Sequence, residues 1–516
     1  MQAISLPDPP PSLGPSGPPA PSGGAPAPTP PPGVPVRDRL LGAAVVLVLV
    51  ALLAGTAVWR VTRDDESAAP TTTVPGGAAG PSTAPSSPPA GEWPAEVQPL
   101  VAFVERARGG PFDRVVPIEF LTPQEYRDSV TALTQDTTPE DRIDTETWAA
   151  GLRALGLLEP GTDVEELVDQ MYGEGTLAYY DDDDEVIRVL GTDVDVAHRA
   201  TLVHELTHAW QDQHGFLEAY DDLEGSPSFI LQTLVEGDAS RIEDLYVETL
   251  SSGEMSDYLE QSAEQAEAAN FDGVPPVMMA SLYAPYALGA PLTTILAERG
   301  GNAAVDEAMA VPPRSESALM SARLFFADAE PVDVAEPALP DGAERLDGGD
   351  FGAFSWFLLL SERVDPRQAL AVADAWAGDD SVTYRVGDRV CLAASYRGAT
   401  SADTDTAAGL LSTWADGMAG HDAIVEREGD VVVVRSCESP TGTTVAGRSE
   451  VAVQYPVLRL QATLEVLGAG ASFEEADCFG DAVVDAIGYD ELATGSAFDR
   501  RRMAQISGTA ARACFD

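Results

Sequence analysis

An uncharged run of apolar residues, LLGAAVVLVLVALLAGTAVW, occupies positions 40–59. About 20 such residues in a helix cross the hydrocarbon core of a bilayer, and Trp59 stands where an interfacial aromatic belongs. The pattern predicts one transmembrane helix. A cleaved signal peptide fits less well, because the run is long and a proline-rich tail precedes it. Residues 1–39, rich in Pro, Gly, Ser and Ala, predict a disordered tail. Residues 60–92 predict a flexible stalk, with the folded chain starting near Trp93.

Periodic patterns follow. TLAYYDDDDEVIRVL reads as two strands joined at residues 181–184. The Asp run there could bind Ca²⁺, but a solvated hairpin tip is the simpler reading. Between Asp193 and Gln213 there is no Gly or Pro, and Val196, Ala200, Val203, Thr207 and Trp210 recur at helical spacing. Thr192, Asp193 and Asp195 are its possible N-caps and Gly215 its stop. SPSFILQTLVEGDASRIEDLYVETL predicts a second helix, apolar enough to be buried, with Ser226 or Ser228 as cap and Pro227 in the first turn. A turn is expected at Gly300-Gly301. Beyond residue 350, FGAFSWFLLLSERVD and PRQALAVADAWAG look helical, and VTYRVGDRVCLAASY and AIVEREGDVVVVRSC look like hairpins turning at Gly-Asp. The expected fold class is α+β: a mostly helical core with a small β-sheet over 93–345, then a C-terminal α+β unit over 346–516.

Charge changes the picture of partners. The formal net charge is −54 and the pI about 4.1, a surface that repels nucleic acid and anionic lipid. No nucleic-acid partner is expected. All four cysteines (Cys391, Cys437, Cys478, Cys514) lie in the last quarter without CxxC spacing. They suit two disulfides in an oxidising compartment; four cysteines allow three connectivities, of which Cys391 with Cys437 and Cys478 with Cys514 is the one favoured here. Arginines flank the apolar run on both sides, Arg37 and Arg39 against Arg60 and Arg63, so charge does not orient it. The cysteines place the C-terminal part outside the cytoplasm.

The candidate chemistry lies in the first helix. Four of the five histidines fall between positions 198 and 214, and residues 204–208 read HELTH. With 5 His and 84 acids in 516 residues, a shuffled chain holds fewer than about 0.008 such HExxH matches, even with every acid counted as Glu. At i and i+4, His204 and His208 share a helix face and can bind one Zn²⁺. Glu205 is rotated away from the metal but can take a proton from its water. A third ligand is needed, and LVEGDA on the next helix offers Glu236, with Asp238, Glu224 and Glu243 as alternatives. Gly237, which costs about 1 kcal/mol within a helix, suggests that another backbone comes close there.

HELTH followed by VEGDA resembles the gluzincin branch of the HExxH zinc metallopeptidases. The resemblance implies a zincin-like domain with zinc on His204, His208 and Glu236, and Glu205 as general base. It also implies an edge strand beside the active-site helix, where a peptide adds as a further strand. The metzincin pattern is absent, since His214 stands too near His208. Peptide hydrolysis also needs an oxyanion donor. Tyr286 and Tyr246 are the catalytic candidates, with Tyr283 behind them; His198 and His214 are expected at the surface and Trp210 in the core. The expected function is a membrane-anchored zinc metallopeptidase acting on peptide or protein substrates in the cell envelope. The rival is a non-catalytic zincin-like envelope binding or scaffold protein.

Overall fold

The computed structural model describes residues 91–135, 139–173, 177–192, 194–218, 223, 225–269, 271, 273–327, 329–418, 420–439 and 447–515. The tail, the 40–59 run and nearly all of the stalk lie outside them, as do Asp193 and Glu224. No helix among the described residues is long and apolar enough to cross a membrane. The described chain is α+β and about 59% helical.

The elements run in the order α1 (Gln98–Arg108), β1 (Ile118–Leu121), α2 (Pro123–Gln135), α3 (Pro139–Ala154), α4 (Val164–Gly173), β2 (Ala178–Asp181) and β3 (Val186–Leu190). Next come α5 (Val196–Gln213), α6 (Gly225–Val247), α7 (Ser252–Ala268), α8 (Pro276–Gly300), α9 (Asn302–Ala310) and two short helices, α10 (Ser317–Met320) and α11 (Ala322–Ala327). The remainder is β4 (Glu344–Gly349), α12 (Ala353–Ser361), α13 (Pro366–Asp374), β5 (Trp376–Val386), β6 (Arg389–Gly398), α14 (Ser401–Asp416), β7 (Ile424–Glu428), β8 (Val431–Cys437) and a run of C-terminal helical segments.

Two sheets form. In the first, β3 lies between β1, parallel to it, and β2, antiparallel to it. The second has the order β4-β5-β6-β8-β7 and is antiparallel throughout. Both expected hairpins are there. Gly387 and Gly429 each take φ +61° as the first residue of a two-residue loop, a left-handed conformation that hairpin turns require. Strand β5 begins at Trp376, so WAG belongs to the sheet and not to the helix before it. Cys391 and Cys437 face each other across β6 and β8 and are joined, and a second disulfide links Cys478 to Cys514.

Helix α5 starts at Asp195, whose side chain accepts from the His198 N–H, and stops before Gly215 at φ +77°. Helix α6 begins earlier than expected, at Gly225, so Ser226 and Ser228 lie inside its first turn. Two apolar cores meet on α6. The smaller one packs α1, the first sheet and α5, and takes Ile242 and Tyr246 from α6. The larger one takes Ile230, Leu231, Leu234 and Val235 from α6 and draws on both sides of residue 345, from Leu155 to Trp356 and Tyr396. Glu236 lies at the junction. On the face toward α8, a Cβ on Gly237 would stand 2.3 Å from the Gly289 carbonyl carbon. The two helices touch backbone to backbone, which explains the glycine in the middle of a helix.

Candidate metal centre

Helix α5 is buried on every side from Ala200 to Gln211, so its polar residues need partners. Thr207 donates to the Val203 carbonyl within the helix at 2.8 Å. The two histidines of HELTH converge on one point. His204 Nε2 and His208 Nε2 are 3.0 Å apart, and Glu236 Oε2 lies 3.4 Å from the first and 3.1 Å from the second. Among the described residues this is the group whose donor atoms could hold a metal ion. Three ligands bonded at about 2.0–2.1 Å in a tetrahedron lie about 3.3 Å from one another, close to the observed triangle. Glu236 Oε2 is buried and has no hydrogen bond of ordinary geometry. An acceptor so placed against two ring nitrogens calls for a cation, and the donor set fits one.

The ring nitrogens facing away are held as well. His204 Nδ1 lies 3.2 Å from Glu243 Oε2. His208 Nδ1 lies 3.0 Å from Gln211 Oε1, and Gln211 Nε2 donates to the Val235 carbonyl and to Asp238 Oδ2, both at 3.0 Å. Asp238 Oδ1 accepts from Arg108 at 3.0 Å and from Arg241 at 2.7 Å. Asp238 is thus committed to two guanidiniums and Glu243 to the back of His204, which leaves Glu236 facing both imidazoles.

Electrostatics follow from burial. Burial pushes the His204 imidazole down, but the carboxylates of Glu236 and Glu243 against its two nitrogens outweigh that and hold it at about 10. Burial also opposes ionisation of Glu236, yet the two imidazoles beside it, His208 and His204, bring it to about 2. In the metal-free chain a proton on His204 therefore supplies the positive charge. Burial raises Glu205 to about 7, against the pull of His204 and His208. Its Oε2 accepts from the Tyr180 backbone N–H at 2.8 Å, and its buried Oε1 has no partner. In the β2–β3 register Tyr180 is opposite Ile187, with the Leu190 N–H bonded to the Leu177 carbonyl. Alternation of antiparallel bonds then turns the Tyr180 N–H outward, away from β3.

The tyrosines separate. Tyr286, fully buried on α8, lies alongside His204, its ring centroid 6.2 Å away and tilted by 22°. Tyr246 does not join the group: it follows Glu236 by ten residues on one helix, about 15 Å along the axis, and its ring packs edge-on against Phe103 in the smaller core. Tyr283 is half-buried on α8, packed against the larger core. His198 sits between Asp195 and the Leu190 carbonyl, and His214 stacks on Trp210 at 3.7 Å. Sequence reasoning missed Gln211, Arg108 and Tyr180. Gln211 stands three positions after His208, on the same face, and that spacing was available as a signal. Arg108 precedes Asp238 by 130 residues, and no local pattern marks it.

No protein-family model matches the chain, and neither a curated protein nor a solved structure does.

Proposed function

We propose that the chain is a membrane-anchored zinc metallopeptidase of gluzincin type that hydrolyses peptide or protein substrates outside the cytoplasm. The observation that carries this reading is the convergence of His204, His208 and Glu236 within 3.4 Å, with Glu205 next to them on α5. A zinc ion held by His204, His208 and Glu236 would supply Lewis acidity to a peptide carbonyl and to an attacking water. Glu205, anchored at Oε2 by β2, has Oε1 left to accept the water's proton. A carboxyl near pH 7 can take that proton and return it to the leaving amine. Tyr286, beside His204, is the donor assigned to the developing oxyanion. In this reading the apolar run at 40–59 anchors the protein, and the disulfides suit an oxidising compartment.

Glu205→Gln tests the mechanism. The variant should keep one metal per chain and lose about 10²–10⁴-fold in turnover of a peptide pool. Turnover at the wild-type rate would refute it.

A second reading has its own support. His204 and Glu205 are each only 1% exposed and Glu236 3%, and such closure favours a metal that holds α5 to α6 in a non-catalytic envelope protein. That reading predicts no cleavage of any peptide by the zinc-loaded wild type, together with a large fall in melting temperature on chelation.

A further inference from the structure

Gln211 and Asp238 have no place in the peptidase scheme, yet both are fully buried beside it. The two ends of the Gln211 amide can be told apart by their partners. Its Nε2 faces the Val235 carbonyl and Asp238 Oδ2. A carbonyl only accepts, and the Asp238 carboxylate already accepts from Arg108 and Arg241, whose guanidiniums only donate. The NH₂ end must therefore lie on that side, and the amide oxygen must face His208 Nδ1 at 3.0 Å. An amide oxygen only accepts, so Nδ1 carries a hydrogen. A neutral imidazole has one N–H, and Nε2 is then the nitrogen with the free lone pair.

We propose that Asp238 is a positioning residue for the metal centre: acting through Gln211, its carboxylate fixes His208 in the Nδ1–H tautomer, with the Nε2 lone pair turned toward His204 and Glu236. The relay begins on α1, where Arg108 reaches Asp238 Oδ1, the same oxygen that Arg241 holds. Every member from Arg108 to His208 is buried, so an alternative arrangement finds no water to satisfy it. The inference rests on the metal-centre reading for its consequence, though not for the tautomer itself.

Asp238→Asn turns the relay around. The single amide oxygen of the new side chain stays with the two guanidiniums, because its NH₂ there would set donors against donors. That NH₂ then faces Gln211, whose amide flips to accept it at the loss of its own bond to the Val235 carbonyl. The flipped amide offers its own NH₂ to His208 Nδ1, and the ring hydrogen moves to Nε2, the ligating position. Zinc affinity of the full chain, measured by competition with a chromophoric chelator, should fall by about 10–100-fold. Adding Gln211→Glu should restore it to within a few-fold: a carboxylate at position 211 only accepts, so it takes both the new NH₂ at position 238 and the His208 Nδ1–H. Loss of packing alone predicts that the double variant is the worse one.

Histidine-selective ¹⁵N spectra of the metal-free protein, with His208 assigned by its substitution, read the tautomer without zinc. The expected result is Nδ1–H in the wild type and in the double variant, and a bare Nδ1 in Asp238→Asn. Unchanged affinity with Nδ1–H retained in Asp238→Asn overturns the proposal. So does an affinity loss that the double variant does not recover. If Asp238→Asn does not fold, Gln211→Met, which removes the acceptor and leaves Asp238 with its arginines, must lose a comparable factor; unchanged affinity there is equally fatal. A wild type that binds no zinc refutes the metal reading, and the nitrogen spectra then decide the relay alone.

Discussion

Adding one methyl group to Gly237 should force apart the helices that carry and back the metal centre. The new Cβ would lie 2.3 Å from the Gly289 carbonyl carbon, 2.4 Å from its Cα and 2.5 Å from its oxygen. Ordinary contact needs about 3.5–4.0 Å, so α6 and α8 must separate by roughly 1 Å. No side-chain rotation relieves the clash, because the neighbour is backbone. Overpacking of this kind costs about 1–3 kcal/mol and sometimes more. Thr293 Oγ1 donates to the Gly237 carbonyl at 2.9 Å, and losing that bond adds about 1 kcal/mol. Against this, Ala is the better helix former by about 1 kcal/mol. The net expectation for Gly237→Ala is a loss of about 1–3 kcal/mol. It should appear in chemical denaturation as a lower midpoint with an unchanged slope, and with weakened metal binding, since Glu236 is the next residue. Gly289→Ala meets the Thr233 carbonyl oxygen at 2.1 Å and should behave alike. The double variant should cost less than the sum, because both open the same gap. A Gly237→Ala protein as stable as the wild type would refute the backbone contact as the reason for this glycine.

Two other predictions concern the rest of the fold. Glu316 accepts from the Phe354 N–H at 2.9 Å, at the start of α12, and burial raises it from 4.5 to about 7, with that hydrogen bond pulling back and Asp379 and Asp350 adding to the rise. A raised carboxyl stabilises the fold below its unfolded value of 4.5 and loses that contribution as pH climbs through 7. The effect is at most about 3 kcal/mol. Glu316→Gln should therefore melt higher than wild type at pH 8 and converge with it below pH ~4.5; parallel melting curves across that range would rule the assignment out. The disulfides close segments of 46 and 36 residues and should each contribute about 4 kcal/mol through chain entropy. Cys391 is buried while Cys478 is exposed, so mild reductant should free Cys478 and Cys514 first, as thiol labelling and mass spectrometry would read; simultaneous release would contradict that order.

The local grammar of the chain was legible. HELTH lies on a helix because nothing between Val196 and Gln213 breaks it and Asp195 caps it. The hairpins turn where Gly-Asp permits a left-handed residue. Gly237 announced a close neighbour without saying which, and Gly289 could not be found from sequence, since its 52-residue separation leaves no periodic trace. The start of α6 was misplaced by a residue or more because capping residues also occur inside first turns. The two tyrosines were equivalent as letters. Only packing put Tyr286 beside His204 and carried Tyr246 away along α6.

Spacing four apart on one helix was enough to bring His204 and His208 together, because the helical period is set by the backbone. The choice among Glu236, Asp238 and Glu243 belonged to the tertiary structure. All three are acids on one helix, and nothing local distinguishes them. Arg108, from α1, took Asp238, and the back of His204 took Glu243. Glu236 was left facing the open side of both imidazoles. Ligand identity here is decided by which carboxylates the rest of the molecule has already neutralised, and those partners come from distant parts of the chain.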